Sequence, residues 1–184
     1  MKIGLIGAGL AGRTHGGAIN RIEGSCLSAV FDISEAAATT LAGGKCPVFT
    51  DLEGFFHEGD FDAVDICLPT FLHEDVVVRS LKAGKHVLCE KPLVLSVQAA
   101  QRIASVLAEG DRTLMAAHVI RFWPQYVKIR ELIQSGAIGR VEIASLYRLS
   151  DLPRWNRWTP DPEKSGGALY DFHIHDLDFA YSLW

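Results

Sequence analysis

The stretch that decides the fold lies at the start of the chain and reads Lys2-Ile3-Gly4-Leu5-Ile6-Gly7-Ala8-Gly9-Leu10-Ala11-Gly12. Its branched apolar residues predict a strand, and the segment 13–22 that follows is compatible with a helix. Gly7 allows a tight strand-to-helix turn, Gly9 lets backbone amides approach a pyrophosphate, and Gly12 lets the helix pack close to the strand. The stretch therefore predicts a dinucleotide site.

The same region indicates which dinucleotide binds. We expect the phosphates at the N-terminus of the first helix, near the amides of Leu10 and Ala11, where unpaired N–H groups and the helix dipole favour anions. A second apolar run, 27–31, ends in Asp32, at the spacing from which a carboxylate accepts hydrogen bonds from the adenosine ribose. That carboxylate would repel a 2′-phosphate, so the sequence favours NAD over NADP. Glycines in such a turn can be purely steric, but a strand, a helix and an acid in register favour a cofactor site.

Composition argues against several other classes of protein. The net charge of −4 disfavours nucleic-acid binding, which needs a clustered positive surface. No apolar stretch is long enough to span a membrane, and the glycine-broken N-terminal run is unlike a signal peptide. The cysteines are scattered without a close pair, so we expect free thiols in a reducing, cytoplasmic location. They are Cys26, Cys46, Cys67 and Cys89.

Strands and helices alternate along the first part of the chain. The predicted strands cover 2–6, 26–31, 47–49, 63–67, 86–89 and 113–117. The predicted helices cover 12–22, 34–42, 51–58, 73–83 and 96–109. Because the strands are apolar without alternation, we expect a parallel sheet covered by helices on both faces, which is the doubly wound α/β (Rossmann) fold. Residues 1–118 are assigned to this cofactor domain.

Two strand ends in this domain carry polar residues where a doubly wound sheet binds its ligands. The run 63–68 is followed by Pro69-Thr70-Phe71-Leu72-His73, and the run 86–89 is followed by Glu90-Lys91-Pro92. A lysine at a strand end can be an ordinary solvated charge. Glu90 beside Lys91 and Pro92 after it instead favour an ammonium group that is held in place.

Residues 119–184 change character and are assigned to the start of an α+β second domain. Here we predict a helix over 125–134, a strand over 140–149 and a last helix over 168–184. If the last helix is regular, His173 points away from a stripe formed by Asp171, His175, Asp178 and Ser182. The stripe has three interpretations: a solvated surface, a carboxylate-steered imidazole that acts as a general base, and a metal site. The splayed histidines disfavour the metal site.

These motifs together resemble those of the Gfo/Idh/MocA oxidoreductases. The resemblance rests on the glycine turn with Asp32, the run Ala-Gly-Lys-His-Val-Leu-Cys-Glu-Lys-Pro-Leu (83–93), the Arg121-Phe122 junction and the segment Gly-Gly-Ala-Leu-Tyr-Asp-x-x-x-His (166–175). It implies a Rossmann domain followed by an α+β domain with a mainly antiparallel sheet. It also implies that a sugar, polyol or related alcohol or ketone is oxidised or reduced with NAD or NADP.

The resemblance implies roles for individual residues. Lys91 would position the reacting oxygen, and His175, oriented by Asp171, would be the acid/base. Thr70 and His73 would lie near the nicotinamide half of the cofactor. The remaining cofactor-binding candidates at the strand ends are Pro69 and Glu90. Candidates for contact with substrate, which could equally be packing anchors, are Arg121, Trp123, Trp155 and Trp158.

Two departures from the family pattern matter. His173 stands where many members have glycine, which indicates a subgroup. The chain stops at Trp184, so we expect an incomplete second domain whose single strand leaves its edges unpaired and favours a homo-oligomer. The alternative from another class is a catalytically silent NAD-binding regulator or scaffold, which the set of Lys91, Asp171 and His175 disfavours.

Overall fold

The computed structural model describes residues 1–151 and 158–183. It contains two compact units, Met1–Ala116 (the first unit) and Ala117–Trp184 (the second unit). Within the described ranges, no helix has the length and apolar character needed to cross a membrane.

The first unit is built on a six-stranded sheet whose neighbouring strands are all parallel. The strands are β1 (Lys2–Ile6), β2 (Cys26–Phe31), β3 (Val48–Phe49), β4 (Ala63–Ile66), β5 (His86–Cys89) and β6 (Leu114–Ala116). The helices are α1 (Leu10–Ile19), α2 (Glu35–Ala42), α3 (Leu52–Glu58), α4 (His73–Lys82) and α5 (Val97–Ala108). The strand order β3-β2-β1-β4-β5-β6 confirms the predicted doubly wound sheet.

Both faces of this sheet are buried, as apolar strands without alternation require. Leu5 and Ile6 are neighbours in β1, are both fully buried, and belong to two separate apolar clusters. In the cluster of Ile6, the rings of Phe55 and Phe61 stack with their centroids 4.6 Å apart. Gly4 makes room for these rings, because a Cβ at Gly4 would lie 2.7 Å from the Phe55 ring. The carboxyl end of β1 is thereby held at the centre of the sheet.

Local capping signals set several helix ends in the first unit. Ser34 caps α2 by accepting a hydrogen bond from the Ala37 amide at 3.3 Å, and Ser96 caps α5 by accepting one from the Ala99 amide at 3.2 Å. Gly43 ends α2 in the left-handed region, with φ 55°. Each of these features satisfies backbone groups that a helix end leaves unpaired.

In the described part of the second unit, the regular elements are helices and turns, and residues 140–151 have no regular secondary structure. These elements are a 3-10 turn (Val119–Phe122), α6 (Pro124–Gln134), α7 (Pro162–Ser165), a π-helical turn (Leu169–His173) and α8 (Ile174–Tyr181). Tyr126 packs edge-to-face on the buried ring of Phe179, with centroids 4.8 Å apart, and so joins α6 to α8.

Two predictions for the second unit are wrong. Residues 140–149 form no strand, because the described residues of this unit offer no second strand to pair with their backbone. The last segment is not one regular helix, because Leu169–His173 is a π-helical turn and the α-helix begins at Ile174. A π turn holds more residues than an α turn, so the predicted stripe does not form as a straight line.

Candidate active site

The first unit has a topological switch point, the place where doubly wound sheets bind their ligands. The strand order reverses between β1 and β4, and the chain leaves their carboxyl ends at Gly7 and Cys67. Gly7 has φ +100°, and a Cβ there would lie 2.5 Å from the Cys67 carbonyl oxygen. Glycine is therefore required at the turn into α1.

The start of α1 fits the pyrophosphate of a dinucleotide. Gly9 is the N-cap and supplies no side-chain cap, and the first turn of α1 carries no acidic residue. A Cβ at Gly9 would meet no atom within 4 Å, so the space over the helix N-terminus is open to a ligand. The amides of Leu10 and Ala11 belong to the same first turn, whose positive dipole end favours an anion. A Cβ at Gly12 would lie 1.8 Å from the Gly7 oxygen, which explains the third glycine.

Asp32 follows β2 and lies beside this turn. Its Oδ2 accepts a hydrogen bond from the Ala8 amide at 2.7 Å, and its Oδ1 accepts one from the Ser34 amide at 2.8 Å. Each carboxylate oxygen can accept two hydrogen bonds, so the group can hold the turn and still accept from a ribose hydroxyl.

The segment after β4 is held in place by the buried side chain of His73. Thr70 is buried at the start of a 3-10 turn that follows Pro69. His73 is fully buried, with Nδ1 2.9 Å from the Pro92 oxygen and Nε2 2.8 Å from the Leu68 oxygen. Burial lowers the pKa of His73 despite these carbonyl contacts. This geometry makes His73 a support that ties the end of β4 to the turn after β5.

Glu90 and Lys91 follow β5 at the same edge of the sheet. Glu90 Oε2 accepts a hydrogen bond from the Lys91 amide at 2.9 Å, and Lys91 precedes Pro92 through a cis peptide bond. The Lys91 side chain is half-buried. A charged group here stands next to the carboxyl ends of the strands at the switch point.

Sequence reasoning missed a charged cluster beneath this edge. His15 of α1 has Nδ1 2.9 Å from Asp65 Oδ2 and Nε2 3.2 Å from Glu90 Oε1. Asp65 lies within β4 and is 3% exposed. Hydrogen bonding to Asp65 raises the pKa of His15 to about 12, with further contributions from Cys67 and Glu90. The sequence did contain a signal for this cluster, namely Asp65 within an apolar strand. A carboxylate in a strand that is buried on both faces needs a partner.

The donor atoms of His15, Asp65 and Cys67 lie within 4.8 Å of one another, a spacing that could hold a metal ion. A metal would need a neutral imidazole and a thiolate. Here both ring nitrogens of His15 face carboxylates, and burial raises the pKa of Cys67 to about 12. The chemistry of the cluster therefore favours an imidazolium between two carboxylates.

The predicted acid/base pair lies in the second unit. Asp171 is in the π-helical turn, His175 is in the first turn of α8, and both side chains are half-buried. Asp178, which was predicted to share their stripe, makes an ion pair, and so does Asp176, which was not part of the predicted stripe. Asp178 accepts from Arg121 at 2.5 and 2.6 Å, and Asp176 lies 3.3 Å from His173 Nδ1.

Of the substrate candidates, Arg121 forms an ion pair with Asp178. Trp123 packs edge-to-face with Tyr126, with ring centroids 6.1 Å apart. Trp123 also lines an open, mainly apolar groove of about 480 Å³ whose lining residues include neither Asp171 nor His175. Trp158 is half-buried, and Trp155 lies outside the described residues.

Comparison with family models identifies both parts of the chain. Residues 1–118 match the model described as "Oxidoreductase family, NAD-binding Rossmann fold". Residues 126–184 match the model described as "GFO/IDH/MocA C-terminal domain". The chain belongs to the Gfo/Idh/MocA family. The match confirms the Rossmann fold and the predicted cofactor, NAD.

The relatives of this chain carry different names. Inositol 2-dehydrogenase of Rhizobium meliloti is 33% identical over 100% of this chain and 54% of its own length. The 2,7-anhydro-N-acetylneuraminate hydratase of Mediterraneibacter gnavus is 34% identical over 97% of this chain and 48% of its own. Scyllo-inositol dehydrogenase of Lactobacillus casei, solved with NAD(H) and scyllo-inositol, superposes with a TM-score of 0.72 at 29% identity over 76% of this chain and 42% of its own. This Gfo/Idh/MocA chain spans about half the length of the curated relatives it matches.

Proposed function

We propose that this protein is an NAD-dependent dehydrogenase that acts on a CH–OH group of a polyol or sugar, with inositols as the first substrates to test. The observation that carries the proposal is the 33% identity, over the whole chain, to a protein named inositol 2-dehydrogenase. The open N-terminus of α1 and the carboxylate of Asp32 support the cofactor half of the proposal. When bound, NAD supplies the acceptor for the hydride.

Lys91 stabilises negative charge on the reacting oxygen. In support, it follows β5 at the ligand-binding edge of a doubly wound sheet, and its amide is held by the Glu90 carboxylate. A fixed ammonium group aimed at developing charge stabilises a transition state more than water does, because it needs no reorganisation during the reaction.

His175 accepts the hydroxyl proton during oxidation and returns it in the reverse direction. Asp171 lies in the adjacent π-helical turn and orients the imidazole. General acid–base catalysis of this kind is worth roughly 10²- to 10⁴-fold in rate. Each of these two roles is expected to contribute to turnover without contributing to the affinity for NAD.

The test is a screen of inositols, other polyols and sugars for NADH formation, with NAD binding measured separately by fluorescence. Lys91→Met and His175→Asn should each lower kcat by about 10²-fold or more. NAD affinity should stay within about threefold of the wild-type value, since neither role involves binding the dinucleotide. The matched controls are Lys82→Met and His57→Asn, which change exposed residues of the first unit.

Wild-type turnover in either variant would remove that residue from the mechanism. NAD binding with no NADH formation on any alcohol would overturn the dehydrogenase proposal, and product analysis would then separate a silent binding protein from a hydratase.

A second candidate is a hydratase of an anhydro sugar or related compound. The observation that favours it is the 34% identity to a protein named 2,7-anhydro-N-acetylneuraminate hydratase. Addition of water involves no net redox change, so this activity would convert substrate without accumulating NADH. Product analysis by mass, run beside the absorbance assay, separates the two candidates.

A further inference from the structure

We propose that His15 is a positioning residue for Lys91: it holds the Glu90 carboxylate, which in turn holds the Lys91 backbone, while Asp65 holds His15. The inference rests on the proposed function, in which Lys91 meets the reacting oxygen. In this role His15 itself contacts neither substrate nor cofactor.

The geometry links three elements of the first unit. The His15 side chain on α1 is 16% exposed and lies between Asp65 of β4 and Glu90 after β5. Nδ1 is 2.9 and 3.0 Å from the two Asp65 oxygens, and Nε2 is 3.2 Å from Glu90 Oε1. Because both ring nitrogens face carboxylates, the ring can donate on both sides only as an imidazolium.

The Glu90 carboxylate carries the connection to Lys91. One oxygen, Oε1, faces His15, and the other, Oε2, accepts the hydrogen bond from the Lys91 amide at 2.9 Å. Burial acts to raise the pKa of Glu90, but hydrogen bonding to His15 and the charges of His15 and Lys91 outweigh it, so the pKa is lowered. Glu90 therefore remains ionised, and its two oxygens join the imidazolium to the catalytic lysine.

Asp65 is what keeps the imidazolium at this place. A carboxylate that is 3% exposed inside a sheet is expensive unless a cation pairs with it. An apolar pair of similar volume would join α1 to β4 at least as well, so packing alone does not explain the choice of residues. The alternating charges of Asp65, His15, Glu90 and Lys91 are explained by a need to orient the last member.

The test is a double-mutant cycle with a Lys91→Met background. His15→Gln alone should lower kcat by up to about 100-fold, as expected when a catalytic group is displaced by about 1 Å. In the Lys91→Met protein the same change should lower kcat by less than about twofold, because His15 acts through Lys91. Equal losses in both backgrounds would show a merely structural role and would overturn the proposal.

A second readout does not depend on activity. The NMR order parameter of the Lys91 Cε should fall in His15→Gln and in Glu90→Gln, while that of the exposed Lys82 should not change. An unchanged order parameter at Lys91 overturns the positioning role even if the enzyme is active. A fall at Lys91 in a protein with no turnover supports the positioning role while the proposed function fails.

A second variant keeps the test possible if His15→Gln does not fold. His15→Gln leaves the buried Asp65 carboxylate without its cation, so His15→Gln/Asp65→Asn is made beside it and removes both charges. If the single variant does not fold, the double variant replaces it in both experiments, with the same expected and contradicting results.

Discussion

The two units hold their buried carboxylates in different settings. In the first unit, Asp65 lies within β4, whose backbone is paired to β1 and β5, and its cation comes from a helix packed on the sheet. In the second unit, Asp176 and Asp178 lie on α8 and are held by arginines from non-regular or 3-10 backbone. Arg148 belongs to the predicted strand that does not form, and it binds Asp176 at 2.8 and 3.0 Å.

This difference shows which interactions determine each shape. Hydrogen bonds between paired strands stabilise the first unit. Its charged cluster is therefore not needed to hold the sheet together and can position a residue at the sheet edge. In the described part of the second unit, ion pairs between arginine and aspartate side chains join segments that no strand pairing connects. We therefore expect a substitution at Gly12, which packs against the turn, to have a global effect on the first unit, and substitutions of the arginines to have local effects on the second.

The largest effect is expected at Gly12. In Gly12→Ala the new Cβ would lie 1.8 Å from the Gly7 oxygen, and backbone on both sides must shift. We expect the free energy of unfolding to fall by at least about 3 kcal/mol, measured by urea denaturation. The matched variant is Gly9→Ala, whose Cβ meets nothing within 4 Å.

Gly9→Ala sharpens the contrast between fold and site. Its stability should be unchanged, while its NAD affinity should fall about tenfold or more, a loss of roughly 1.4 kcal/mol, because the methyl group occupies the phosphate space. Equal stability losses in the two variants would contradict the distinction between a packing glycine and a binding glycine.

The glycine turn also shows what could be predicted from sequence. Gly7, Gly9 and Gly12 belong to one strand–turn–helix segment, and their spacing predicts both the tight turn at Gly7 and the close packing at Gly12. The contact that excludes a side chain at Gly7 comes from Cys67, which is distant in sequence. The caps at Ser34 and Ser96 were also predictable from the local sequence. Local signals of this kind account for the first turn and for several helix ends of the first unit, whereas its strand order depends on pairing between distant segments.

The parts that were missed depend on distant partners. His15 belongs to α1, and the sequence of this helix does not predict that carboxylates from β4 and from the end of β5 contact the ring. The alternation over 140–149 favours a strand, but a strand needs a second strand, and none is present among the described residues. The π-helical turn at Leu169–His173 interrupts a pattern that the sequence presents as continuous, while arginines from elsewhere in the unit hold Asp176 and Asp178.

A smaller effect is expected from pH on the cluster of the first unit. Pairing with Asp65 raises the pKa of His15 to about 12 from an ordinary value of 6.5. A raised pKa means that the stabilisation is fully present below the unfolded value and is lost as pH rises toward the folded value. Between about pH 7 and about pH 9, the wild type should therefore lose stability relative to His15→Gln by up to about 1.4 kcal/mol per pH unit.

The measurement is urea denaturation of both proteins across that range, with the difference in free energy plotted against pH. Groups that titrate alike in the two proteins cancel in this difference. If this difference does not change with pH, His15 is neutral in the folded protein, and the proposal that it is an imidazolium between two carboxylates is wrong.

The smallest effect is expected in the second unit, from Arg148→Met. The Asp176 side chain is 6% exposed and the Arg148 side chain 22%, so the pair should contribute about 1 kcal/mol, near the upper end for partly solvated pairs. The measurement is hydrogen exchange of the α8 amides, which should speed up while the amides of β1 and β4 do not change. The control is Arg140→Met, whose side chain is 85% exposed.

The pH dependence of this last effect has the opposite sign to that of His15. Hydrogen bonding to Arg148 outweighs burial and lowers the pKa of Asp176, so the stabilisation is present above the ordinary carboxylate pKa and is lost as pH falls through the folded value. The difference between wild type and Arg148→Met should therefore shrink in acid. A difference that persists in acid would mean that Arg148 holds α8 through the packing of its aliphatic stem, and the second unit would then depend on apolar contacts more than on its ion pairs.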